Sequence, residues 1–210
     1  MDDQKVLQIL GKVGAVITNS HVVYPSGKHG TTYVNKDTLY AHPLETSKLC
    51  REMALRWLEE GESSNRSVDV VIAPAIGGVI LSQWTAYHLS EITGREIFGV
   101  YAEKVENGDA FVIKRGYDKI VAGKNVLVVK DVLTIGGSAK KVIEAVRALG
   151  GNIIGLGVLC NCEGVTPHDV ADPPKLFALV KLDAWDEDEC KRTGPCSRGV
   201  PINTDVGRGK

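Results

Sequence analysis

The chain has 210 residues, 43% hydrophobic and 24% charged, with Lys+Arg 25 against Asp+Glu 26 and a net charge of -1. That length suits one α/β domain with a small appendage, and the balanced charge excludes a general nucleic-acid binder, which carries a basic excess. No apolar run approaches the roughly 20 residues of a membrane span, and the acidic start MDDQKVLQIL lacks the layout of a secretory leader, so we expect a cytoplasmic protein with no membrane partner and mostly reduced cysteines.

In chain order, DQKVLQILGKVGAVI predicts a helix with Val6, Ile9, Leu10 and Val13 on one face. SHVVYPSGKHGTTYVNKD predicts a short irregular hairpin, its β-branched and aromatic residues interrupted by Pro25, Gly27 and Gly30. Pro43 opens a second helix that ends near Gly61. A buried strand over Val68 to Ala73 runs into a glycine turn, and VILSQWTAYHLSEITG forms a helix closed by Gly94. EIFGVYAEK is a strand, and ENGDAFVIKRGYDKIVAGK a charged excursion with a short strand at its centre. The strand Val126–Val129 leads through Lys130 and Asp131 into a turn and a helix near Ala139; NIIGLGVLCNC and KLFALVKLDAW are two further strands. Strands alternating with helices predict a single doubly wound α/β domain with a central parallel sheet. We divide the chain into an N-terminal helix and hood segment (1–42), a core (43–185) and a polar, irregular, surface-packed tail (186–210).

The turn Thr134, Ile135, Gly136, Gly137, Ser138 follows the carboxyl end of a buried strand, where open parallel sheets collect ligands. Glycines let backbone N–H groups point inward, the hydroxyls add donors, and the helix N-terminus adds partial positive charge. This is the chemistry of a phosphate cradle. It is neither the nucleotide P-loop, since G-x-x-x-x-G-K-[ST] is absent, nor the dinucleotide fingerprint. Asp131 faces the same pocket as an acceptor for sugar hydroxyls; a strand–turn–helix with a Gly/Ser cap and no ligand is the competing account.

VLVVKDVLTIGGS resembles the motif of the type I phosphoribosyltransferases, in which four apolar residues, two acids and an apolar pair precede a Thr/Gly/Ser turn. YPSGKHGTTYVNKD resembles the hood of the orotate branch, VVIAPAIGG its pyrophosphate loop, and VYAEKVENGDAFVIKRG its flexible catalytic loop. The resemblance implies transfer of ribose 5-phosphate from 5-phosphoribosyl 1-diphosphate (PRPP) to a nitrogenous base, orotate first, with magnesium and with homodimer formation. It implies PRPP binding by Lys130, Asp131 and Thr134 to Ser138, pyrophosphate at Ala75, Ile76 and Gly77, and the base against Tyr33, Val34, Lys28 and Cys162. Asp131 and Lys104 are the catalytic residues it implies, Lys104 matching the loop lysine that contacts pyrophosphate. No protein side chain is assigned as a ligand of the magnesium ion.

The departures are specific. Lys130 stands where the family has an acid, and lysine accepts no hydroxyl hydrogen bond. Glu103 replaces the arginine that opens the loop, with Lys114, Arg115 and Lys119 as possible substitutes, and Gly77 replaces a lysine present in some orotate enzymes. Asn161 and Cys162 stand where orotate enzymes carry Asp-Arg, and a cysteine cannot replace a bidentate arginine–carboxylate contact. A phosphoribosyltransferase for a base without a carboxylate, and a non-catalytic PRPP- or nucleotide-sensing regulator, therefore remain alternatives. Cys160, Cys162, Cys190 and Cys196 are spaced poorly for zinc and read as free thiols; Cys50 reads as core. His29 is the histidine placed nearest substrate, against a plain turn role.

Overall fold

The computed structural model describes residues 1–59, 67–106 and 108–207. Asp2 caps α1 (Asp3–Lys12), its carboxylate accepting from Lys5 N–H at 2.8 Å. The helix does not continue to Ile17 as expected. Gly14 turns the chain at a φ of 69°, and the β-branched pair Val16–Ile17 becomes β1, antiparallel to β4 (Tyr33–Val34). Between them, β2 (Val22–Val23) and β3 (His29–Gly30) form the expected hairpin. Asn35 then caps a short helix absent from the sequence reading, α2 (Lys36–Tyr40), and Pro43 opens α3 (Pro43–Glu59). The predicted end near Gly61 lies outside the described residues.

The core elements follow as β5 (Val70–Pro74), α4 (Gly78–Thr93), β6 (Phe98–Lys104), β7 (Phe111–Val112), α5 (Tyr117–Val121), β8 (Asn125–Leu133), α6 (Gly137–Ala148), β9 (Asn152–Asn161) and β10 (Leu176–Lys181). They build one six-stranded sheet in the order β10-β9-β8-β5-β6-β7. All neighbours are parallel except β7, which returns antiparallel to β6. Successive residues alternate between the two faces, as a strand's period of two demands: Val71, Ala73, Leu127 and Val129 join one core, Val70, Ile72, Val126 and Val128 the other. The first core is covered by α1, α3 and α4 through Leu10, Leu49, Met53, Trp57, Leu81 and Leu89; α6 covers the second through Ala139, Val142, Ile143 and Val146. The expected doubly wound α/β architecture is the observed one.

Three local expectations change. β8 runs on to Leu133, so Lys130 and Asp131 lie inside the strand rather than beyond it. The stretch read as one last strand is two: β10 closes the large sheet, whereas β11 (Ala184–Trp185) crosses to pair with β3, giving a three-stranded hood sheet β11-β3-β2. The tail is not irregular throughout. It forms α7 (Glu187–Thr193) and a 3₁₀ turn at Cys196–Arg198, and Cys190 is fully buried.

The chain reaches β6 on one side of β5 and then β8 on the other, so the direction of winding reverses between β5 and β8. Ligands of open α/β sheets bind in the crevice at such a reversal.

Candidate active site

Two helices begin at the carboxyl ends of β5 and β8, and neither has a side-chain cap. The loop Ala75–Gly77 leads into α4, and Thr134–Gly136 leads into α6. The first N–H groups of both helices therefore offer hydrogen bonds and positive potential at the crevice. The Ala75–Ile76 peptide is cis and Ile76 is exposed. Gly136 holds a φ of 78°, and a Cβ there would come within 2.5 Å of Val170 Cγ1; only glycine fits. A Cβ on Gly137 would meet nothing within 4 Å, so the backbone at the start of α6 faces open space.

Asp131 sits between the two loops, 2% exposed. Its Oδ1 accepts from Val132 N–H at 2.7 Å and is paired with the Lys130 ammonium. Its Oδ2 accepts from Tyr40 O–H at 3.1 Å and lies 3.7 Å from Lys36 Nζ. Burial pushes the Asp131 carboxyl upward, but Lys130, Lys36 and the Val132 N–H outweigh it and hold the group below the usual carboxylate range. Burial, then the carboxylate itself, drives the Tyr40 phenol far above its ordinary value, so Tyr40 stays a hydrogen-bond donor. Lys36 and Tyr40 went unnoticed in the sequence. The signal was present: Asn35 accepts from Asp37 and Thr38 N–H as a helix cap, and residues four apart in a helix share a face. A Cβ on Gly77 would stand 3.0 Å from the Tyr40 ring, 3.5 Å from Asp131 Oδ2 and 3.5 Å from Lys36 Nζ. Gly77, expected to hold pyrophosphate, thus abuts the buried carboxylate, and Lys36 supplies a cation beside it.

Three clefts meet at Thr134. One, about 380 Å³, is lined by Tyr24, Pro25, Tyr33, Val34, Lys36, Lys130, Asp131 and Cys162. A second, about 520 Å³, joins Thr134–Ser138 to Lys104, Asp109, Phe111 and Lys141. A third, about 510 Å³, joins Ser26–Lys28 to Glu163, Asp169 and Glu187. The structure therefore brings Tyr33, Val34, Cys162, Lys130 and Asp131 together, and it brings Lys104 to the 134–138 turn. Lys28 is not on the wall of the Tyr33 cleft; it faces the acidic third cleft beyond Thr134. Lys141, on the first turns of α6 and ion-paired with Asp109, is a second cation at the turn that the sequence reading missed. Arg115, a suggested substitute for the loop arginine, is paired with Glu103. Asn161 is spent on its own loop, donating to Val165 O at 2.8 Å and accepting from Val165 N–H at 3.0 Å. Burial, then Glu163, pushes the Cys162 thiol up to about 12, so it stays neutral. His29 lies away from these clefts: its Nδ1 is 2.7 Å from His21 Nε2 and 3.4 Å from Cys196 Sγ.

Lys130→Met keeps length and removes the ammonium from Asp131. Burial is then opposed by Lys36, one N–H and the Tyr40 hydroxyl, and the carboxyl should titrate higher, because an adjacent opposite charge that favours the ionised form is gone. Carbon-13 NMR of the Asp131 carboxyl across pH measures this directly; an unmoved titration would show that Lys130 does not set the charge of the site.

A buried carboxylate thus stands between two uncapped helix N-termini at a winding reversal. The chain belongs to the phosphoribosyl transferase family, whose domain matches residues 35–189. Its relatives are more particular. It is similar to the orotate phosphoribosyltransferase of Thermoanaerobacter sp. (strain X514), 34% identical over 203 residues and 96% of each chain. That of Pelotomaculum thermopropionicum is 38% identical over 202 residues, 96% of this chain and 95% of the other. In fold it matches the crystal structure of orotate phosphoribosyltransferase from Aeropyrum pernix, with a TM-score of 0.61 at 22% identity over 92% of this chain and 98% of that one.

Proposed function

We propose that the chain transfers ribose 5-phosphate from PRPP to orotate, forming orotidine 5'-monophosphate and pyrophosphate. The observation that carries this reading is the pair of uncapped helix N-termini on either side of Asp131. The 5-phosphate takes the N–H groups of the 134–138 turn, with Lys104 and Lys141 on the same cleft. The diphosphate takes the Ala75–Gly77 loop beside Lys36. Asp131 then lies at the ribose, where its negative charge complements the cationic sugar of the transition state, and Tyr40 and Lys36 hold the carboxylate still. Tyr33 and Val34 form the wall for the base, and loop closure over Lys104 excludes water from the activated sugar.

Magnesium fits this site as an ion carried by the substrate. Asp131 is the carboxylate between the two loops and is already held by Lys130 and Lys36, which suits an ion bound mainly by diphosphate oxygens and water rather than by a cage of protein ligands. When bound, such an ion neutralises charge growing on the departing pyrophosphate.

The relatives named orotate phosphoribosyltransferase favour orotate. Cys162 favours a base without a carboxylate, because a buried neutral thiol stands at the place of the family's arginine; Lys36 and Lys130 on the same cleft are the cations available to a carboxylate instead. A panel of free bases with PRPP and magnesium, read by pyrophosphate release, decides. Release with orotate alone is expected. Release only with bases lacking a carboxylate would transfer the assignment to salvage, and PRPP binding without release for any base would make the chain a sensor. The resemblance also supports a cytoplasmic homodimer, which light scattering coupled to gel filtration tests.

A further inference from the structure

The tail and the hood meet at a cluster that the reaction does not use. His21, beside β2, and His29, in β3, face Cys190 in α7 and Cys196 in the following 3₁₀ turn, with one ligand atom from each residue all lying within 4.8 Å of one another. His21 Nε2 is 2.7 Å from His29 Nδ1 and 3.6 Å from Cys196 Sγ; His29 Nδ1 is 3.4 Å from the same sulfur. A tetrahedron built on zinc–sulfur bonds of about 2.3 Å and zinc–nitrogen bonds of about 2.0 Å has edges of roughly 3.3–3.8 Å; both sulfur–nitrogen separations fall in that range, and the two ring nitrogens, now at hydrogen-bond distance, need to part by only about 0.6 Å to reach it.

The surroundings hold the four groups in place. His21 Nδ1 donates to Val200 O at 2.7 Å, which turns the Nε2 lone pair toward the cluster; an outer hydrogen bond of this kind orients metal-bound histidines. Cys196 N–H donates to Cys190 Sγ at 3.2 Å. His29 is fixed from both sides, because β3 pairs with β2 and with β11. His21, His29 and Cys190 are buried and Cys196 is half-buried, while all five cysteines are unpaired.

We propose that His21, His29, Cys190 and Cys196 bind one zinc ion as a closed structural site that staples the C-terminal tail to the hood sheet. Two thiolates and two neutral imidazoles in a tetrahedral arrangement select zinc among the common divalent ions. Four protein ligands leave no open position for substrate, which makes the site structural rather than catalytic. Both thiols lose their protons as the ion binds, so binding releases acid and weakens as pH falls. The staple spans β2, β3 and α7, and so braces the hairpin that carries Tyr24 and Ser26–Lys28 on the walls of two clefts. In the sequence the two cysteines, with five residues between them, looked unsuited to zinc. The missing half of the ligand set is supplied from about 170 positions earlier in the chain, at His21 and His29.

The full-length protein, purified under reducing conditions, should carry one zinc per chain by elemental analysis. Cys190→Ser and Cys196→Ser should lose it, Cys50→Ala should keep it, and a chelator should lower the melting temperature of the wild type and of Cys50→Ala but not of the two serine variants. Should either serine variant fail to fold, cobalt exchanged into the wild type gives an independent reading, with visible bands of tetrahedral cobalt and thiolate charge transfer. Protein without metal above background and without the cobalt spectrum, or with a Cys190–Cys196 disulfide by mass spectrometry, overturns the proposal.

Discussion

Asp131→Asn should reduce turnover by about 10²–10³-fold, the scale set by removing one preorganised electrostatic group from a transition state. The substitution keeps the volume and removes the charge that we propose to stand beside the cationic sugar. It also has a cost in stability that the sequence did not reveal. The carboxylate is 2% exposed and answers Lys130, Lys36, Tyr40 and Val132 N–H together. With Lys36 about 43% exposed, its share is screened by water. A total of about 1–3 kcal/mol is expected, as for losing a hydrogen-bonded charge, or roughly 2–10 °C in melting temperature for a chain of this size. Calorimetry and initial rates on the same sample separate the two effects; unchanged rates would remove Asp131 from the chemistry. Because the folded carboxyl titrates below its ordinary value, its contribution to stability is complete above the unfolded pKa and is lost as pH falls through the folded one. The variant should therefore lose less stability on acidification than the wild type.

Gly137→Val should weaken PRPP binding by about 10²–10³-fold, equivalent to two lost charge-assisted hydrogen bonds, with stability changed by no more than about 0.5 kcal/mol. The added carbons enter open space at the head of α6, the space proposed for the 5-phosphate. Its neighbour should behave in the opposite way. Gly136→Ala combines a left-handed φ of 78° with a Cβ 2.5 Å from Val170 Cγ1, and together these cost about 2–5 kcal/mol through strain and overpacking. Titration calorimetry with PRPP and thermal melts on both variants make the test. Wild-type affinity in the Gly137 variant would move the phosphate elsewhere; a stable Gly136 variant would show that this turn has slack.

Much of this protein could be read from one dimension. The alternation of apolar strands with amphipathic helices, the proline that opens α3, the glycine at a φ of 67° that closes α4 and the glycine turn at the head of α6 are local features. Their physics acts over a few residues, so their order in the chain carries their meaning. Even the Lys130–Asp131 pair, which made the motif atypical, was visible beforehand. What folding alone decided is which distant side chains meet. The winding reversal between β5 and β8 brings Lys36 and Tyr40 to a carboxylate more than 90 residues away, while Lys28 lies on an acidic cleft apart from Tyr33 and Val34. The crossing of β11 onto the hood carries Cys190 and Cys196 to two histidines near the other end of the chain. No periodicity or spacing encodes such encounters, because they follow from strand order and the burial of whole faces rather than from neighbours along the backbone.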